Sequence, residues 1–282
     1  MTAASTNSGS ARSRVIAAVA TIVAAAAFLF ATAPVPAAKG ADGSAAGGPN
    51  PPWRAADQIT TALFDAQTDL ILRDPSGPSM GQARQALAGP LRAGLAASAP
   101  AELKEIESQL DRAGRAVATG DSVGLAASRG TITAALRRGA FNRAIALTAA
   151  GRAAAAREWL QIRDFRQSTR FTRVGTVATD SLIELAQGDA TPAEAVIQVR
   201  KDLLDTYQSR LGTNREEAEK AADRGFPERL AETSAIVDGY WQILAEEYRH
   251  QRGAAAAKKT SREFRQLAAA GAAADVNAFR AA

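Results

Sequence analysis

The chain has 282 residues, 46% of them hydrophobic but only 5% aromatic, with one histidine, no cysteine and a formal charge of +5. That balance excludes disulfides, thiolate catalysis and zinc–thiolate sites. It is also too even, with Lys and Arg too dispersed, to indicate a nucleic-acid binder. Alanine supplies much of the apolar content, which favours closely packed helices over a β-sandwich.

In chain order, a small polar segment ends in Arg12 and Arg14 and is followed by an uncharged apolar run, Val15 to Ala33, and then Val35-Pro36-Ala37. A basic start, an apolar centre and a small-x-small site predict a secretory signal over residues 1–37. The run is also long enough to remain uncleaved as a membrane anchor. Either outcome places the rest of the chain outside the cytoplasm, as a secreted, envelope or membrane-associated protein. Residues 38–52 read as a Gly/Ala/Pro linker, and residues 53–282 as one all-α helical domain.

Ile59, Leu63, Ala66 and Leu70 recur at helical spacing and predict an amphipathic helix ending near Arg73-Asp74-Pro75. Asp65, Asp69 and Arg73 follow one another at steps of four on its other face. They read either as a surface ion ladder or, for the two carboxylates, as a cation ligand pair. Helical patterns resume over about 79–97, 101–118 and 122–150, punctuated by Pro90, Pro100 and Gly120-Asp121.

The densest stretch is 157–173, where Trp159, Phe165 and Phe171 stand among five arginines. Within a helix opening near Ala153, Trp159, Ile162 and Phe165 would share a buried face. Arg163, Arg166, Arg170 and Arg173 would form a basic stripe, and Arg157 opens the stretch. Guanidinium groups pair bidentately with carboxylates and phosphates. The stripe therefore either fixes packing against carboxylates of neighbouring helices or faces an acidic ligand, a lipid surface or a partner protein.

A short helix over 176–187 is closed by Gly188, and Thr191-Pro192-Ala193-Glu194 is a capping-box start. The helix it opens should bury Leu203 or Leu204, Tyr207 and Leu211. Gly225-Phe226-Pro227 marks a turn before a helix over about 228–252, which carries Ile236, Tyr240, Ile243 or Leu244, and Glu247 or Tyr248 at helical spacing. The Ala-rich tail from Gly253 reads as helical and weakly packed.

His250, with Glu246 and Glu247 a turn before it, is either solvated or half of a transition-metal site. No nucleophile-elbow, phosphate-loop or dinucleotide motif is present, so an enzyme is not expected.

Four segments in order, Ala62-Leu63-Phe64-Asp65-Ala66-Gln67, Arg157-Glu158-Trp159-Leu160 through Phe171, Asp202-Leu203-Leu204-Asp205-Thr206-Tyr207-Gln208 and Gly239-Tyr240-Trp241-Gln242-Ile243-Leu244, resemble the extracytoplasmic N-terminal region of bacterial high-affinity iron permeases of the Ftr type. The resemblance covers roughly residues 53–260. It implies a role in iron uptake, by iron binding and hand-over or by docking to a membrane iron permease or another envelope protein. Candidate iron ligands are then the hard oxygen donors Asp65, Asp69, Glu158, Asp164, Asp202 and Asp205. Arg157, Arg163, Arg166, Arg170 and Arg173 would hold those carboxylates or meet the partner. Such permeases carry iron on Arg-Glu-x-x-Glu motifs inside transmembrane helices. Here Arg157-Glu158 is followed by Gln161 where the second Glu belongs, and Arg215-Glu216-Glu217-Ala218-Glu219 lies in a polar stretch. After Ala33 no apolar run is long enough to span a bilayer, so the chain carries no pore of its own. Convergence of Asp65, Asp69, Glu158 and Asp202 on one cleft would mark a metal site. Their dispersal would instead favour a structural or protein-interaction module at the cell envelope, without a metal site.

Overall fold

A computed structural model of the chain describes residues 50–73, 79–166 and 176–282. The predicted export segment and nearly all of the linker lie outside these residues, as do Arg170, Phe171 and Arg173. The described residues are all-α, with eleven helices and no strand among them.

The first helix, α1 (Pro52–Leu72), buries Ile59, Ala62, Leu63 and Ala66 as their spacing predicts. It stops because Arg73 turns left-handed, at φ 58°. That turn takes Arg73 off the helical path, so the expected Asp65–Asp69–Arg73 ladder is not completed by helical geometry. The predicted 79–97 segment is two helices, α2 (Ser79–Leu87) and α3 (Pro90–Ser98). Gly89 at φ 75° separates them and Pro90 opens the second, where its missing N–H costs nothing. Next come α4 (Pro100–Thr119) and α5 (Ser122–Ala149), the latter capped by Asp121, which accepts from the Gly124 amide at 2.8 Å.

The helix expected through the arginine-rich stretch is much shorter than predicted: α6 spans Ala153–Leu160. Beyond it the backbone amides of Ile162 and Arg163 reach back only to Trp159 and Leu160, a tightening turn that ends the helix. Trp159 is buried at 4% exposure whereas Phe165 is 46% exposed, so the predicted Trp159–Ile162–Phe165 stripe does not form. The physical cause is Asp164, whose side chain accepts from the Phe165 amide and is drawn toward three other helices, as described below. Short polar side chains that bond nearby backbone compete in this way with helix continuation.

Downstream, α7 (Val177–Gln187), α8 (Pro192–Arg224), α9 (Pro227–Arg252), α10 (Ala254–Ala272) and α11 (Val276–Ala281) complete the fold. The reciprocal capping box of Thr191 and Glu194 is present at the start of α8. Gly225, at φ 69°, closes α8 in the left-handed conformation that glycine adopts without strain.

Two central helices, α5 and α9, organise the bundle and run parallel: Arg129 pairs with Glu232 and, further along both, Arg137 meets Tyr240. Their close approach explains the small residues. A Cβ at Gly130 would meet the Glu232 carbonyl oxygen, and one at Gly239 would meet Ala134. On the flanks α4 lies antiparallel to α5, with Arg138 bonded to Glu102 and Glu105. On the other side α8 lies antiparallel to α9, with Tyr207 against Tyr240 and Glu217 against Arg229. The alanine-rich tail is not weakly packed. Phe264 of α10 stacks on Trp241 with centroids 5.1 Å apart, and Ser261 accepts from the Trp241 indole at 2.9 Å. Phe279 of α11 closes a small second cluster with Ala218, Ala222 and Leu230.

Candidate functional site

The segment that leaves α6 carries the chemistry the sequence singled out, and it joins five helices. Asp164 is its centre. Its Oδ2 lies 3.2 Å from Nη1 of Arg137 on α5 and 3.0 Å from Nε of Arg210 on α8. The same oxygen accepts a 2.5 Å hydrogen bond from the Tyr240 hydroxyl on α9, while Oδ1 accepts from the Phe165 amide at 2.8 Å. Burial opposes ionisation of Asp164, but Arg137, Tyr240, Arg210 and the Phe165 amide outweigh it and hold the carboxyl below its ordinary range. Burial beside the ionised Asp164 also keeps the Tyr240 phenol well above its usual value, so it stays a donor. Tyr207, fully buried beside it, is raised by the same desolvation.

A second pair lies next to the first. Nη2 of Arg166 is 2.7 Å from Oδ1 of Asp202, whose side chain is 2% exposed. The other oxygen of Asp202 accepts from the Ala178 amide at 3.2 Å. A carboxylate on α8 therefore satisfies a free N–H at the positive end of α7. Arg163 donates to the Leu160 carbonyl at 3.0 Å and to the Thr179 hydroxyl at 3.3 Å, and its guanidinium covers the Phe165 ring at 4.8 Å. Of the arginines in this stretch, Arg166 is the one that pairs with a carboxylate of a neighbouring helix among the described residues. Arg163 instead binds a carbonyl and a hydroxyl, Arg157 is exposed, and Arg170 and Arg173 lie outside the described residues.

The six carboxylates proposed as iron ligands do not share a cleft. Asp65 is exposed and Asp69 half-buried on α1, and neither forms an ion pair among the described residues. Glu158 is half-buried on α6, with Oε2 sequestered and without a hydrogen-bond partner among the described residues. Asp205 is pushed up chiefly by burial, against the opposing pull of Arg166 and Lys201. Asp164 and Asp202 are each matched by arginine. Among the described residues no group of three or more His, Cys, Asp or Glu is placed to hold a metal ion. His250 bonds Glu246 at 2.8 Å in an exposed ladder that also includes Arg249. Arg215 pairs with Glu219 on the surface of α8, as a solvated face would.

Sequence reasoning did not find Arg137, Arg210 or the role of Tyr240. The one local signal was the Arg137-Arg138 doublet in a helix rich in small and apolar residues, where two adjacent long cations require partners from other elements.

No helix of the described residues is long and apolar enough to cross a membrane. No curated protein and no solved structure matches the chain. The family model of the iron permease FTR1 N-terminal domain, however, matches residues 49–282, a span that takes in every described helix and the whole arginine–carboxylate network. The chain therefore belongs to the iron permease FTR1 N-terminal domain family.

Proposed function

We propose that this chain serves iron uptake outside the cytoplasm as a helical domain that docks to a membrane permease, rather than by chelating iron itself. The observation that carries the reading is the neutralisation of the most buried acidic candidates. Asp164 is matched by Arg137 and Arg210, and Asp202 by Arg166 and the Ala178 amide. A carboxylate so occupied has its lone pairs committed and its charge cancelled, which opposes its use as a hard-cation ligand. The exported placement is supported by the signal-like residues 1–37 and the family membership by the match over 49–282.

The same network supplies a rigid platform. Arg163, bonded to Thr179, holds Phe165 beside the first turn of α7, where Val177 is also exposed. Exposed apolar side chains backed by a cross-linked base suit contact with another protein.

Anaerobic calorimetric titration of the chain with ferrous iron separates docking from chelation. Docking predicts no saturable, stoichiometric heat. Saturable binding lost in an Asp65→Ala/Asp69→Ala variant would replace this reading with an iron-holding site on α1.

A further inference from the structure

A groove lined by residues other than those of the Asp164 network has the features of a small-molecule site. It has a volume of about 420 Å³ and runs along α5, with α4 as one wall and α9 and α10 as the other. Its size falls in the range of ligand pockets. Small residues of α5, among them Gly124, Ala127 and Ser128, form the floor and make the space.

The two walls differ in chemistry. On α4, Arg112 and Arg115 face the groove one turn apart, and among the described residues neither forms an ion pair or side-chain hydrogen bond. On α9, Oδ2 of Asp238 accepts from the Gln242 amide at 2.8 Å, while Oδ1 is buried without a partner. Leaving a sequestered acceptor unpaired is costly, and among the described residues nothing donates to Oδ1. Burial, the largest influence, pushes the Asp238 carboxyl up, and Glu105 adds to it against Gln242, Arg138 and Arg265. Arg138 at the end of the groove is already committed to Glu102 and Glu105, and Asp121 to capping α5. Among the charged groups of the lining, those left to a ligand are therefore two guanidiniums on one side and one carboxylate oxygen on the other.

We propose that this groove binds a small hydroxypolycarboxylate, its carboxylates on Arg112 and Arg115 and its hydroxyl donating to Oδ1 of Asp238. Paired guanidiniums select carboxylates by planar two-point bonding. The opposing acceptor selects a molecule that carries a donor as well as negative charge. The site does not depend on iron or on the docking reading, and its test uses metal-free ligand.

The experiment is calorimetric titration of the full chain, with chelated metal removed, against citrate, tricarballylate, L-glutamate and inorganic phosphate. Tricarballylate differs from citrate only by lacking the hydroxyl. Saturable citrate binding is expected, with tricarballylate about tenfold weaker for the lost hydrogen bond. The Arg112→Gln/Arg115→Gln variant, altered at exposed positions, should keep its helical circular dichroism and lose citrate binding. Asp238→Ala should bind citrate and tricarballylate equally. Absence of saturable citrate binding would overturn the proposal. So would binding unchanged in the double arginine variant, or phosphate or glutamate binding more tightly than citrate.

Discussion

The hydroxyl of Tyr240 donates to Oδ2 of Asp164 at 2.5 Å, across 76 residues of sequence, and ties the strand of chain leaving α6 to the central helix α9. Arg137 contacts both groups, from α5. Three helices and a connecting segment thus share one carboxylate.

Asp164→Ala would leave Arg137 and Arg210 without their counter-charge. Breaking a buried pair from one side costs about 3–5 kcal/mol. Because the Arg137 side chain keeps 24% exposure, the expected loss is about 3 kcal/mol, read from urea denaturation. A loss below about 1 kcal/mol would show that the arginines reach water without penalty.

The same group makes stability depend on pH. Its folded pKa lies below its unfolded one, so the contribution is complete above about pH 4, the ordinary carboxylate value. It is lost as pH falls through the folded value. The unfolding free energy of the wild-type chain should fall on acidification below about pH 4, and Asp164→Asn should show a shallower fall. Equal acid sensitivity in the two proteins would remove Asp164 from that role.

Helix propensity and packing oppose one another at Gly130. Alanine there would gain about 1 kcal/mol of helix propensity. Its Cβ, however, would meet the carbonyl oxygen of Glu232, which is backbone and cannot rotate away. Overpacking against a fixed neighbour costs about 1–3 kcal/mol or more, so Gly130→Ala should destabilise the fold. A rise in the urea midpoint would show that α5 and α9 separate easily.

Trp241 is 1% exposed, stacks on Phe264 and meets Tyr248 edge-on. Trp241→Ala should cost about 3–5 kcal/mol. Limited proteolysis should then cut first between α9 and α10, near Gly253. Cleavage elsewhere, with the tail intact, would mean that α10 is held by other contacts.

Much of this architecture could be read in the sequence because local rules and tertiary packing agree. The α1 stripe through Ile59 and Leu63, the Thr191 capping box and the Gly225 stop each follow from spacing or backbone conformation. The helical reading fails over residues 161–166 because periodicity carries no information on long-range partners. Asp164 finds Arg137, Arg210 and Tyr240 on three other helices, and those contacts outweigh local propensity for one more turn. The carboxylates failed to converge for a related reason. Asp65 and Asp202 were grouped by residue type, and the type does not encode the arginine that claims Asp202. The tail was underestimated because Phe264 is the one aromatic of α10, in a polar stretch between alanine runs, yet it stacks on Trp241 while Ser261 bonds the indole.

The most direct test of the central claim is uptake of radioactive iron at low external concentration by cells with and without the gene for this chain. The account predicts that deletion lowers uptake and that the full-length gene restores it. It also predicts that an Asp65→Ala/Asp69→Ala copy restores it equally. Unchanged uptake on deletion would contradict a role in iron acquisition.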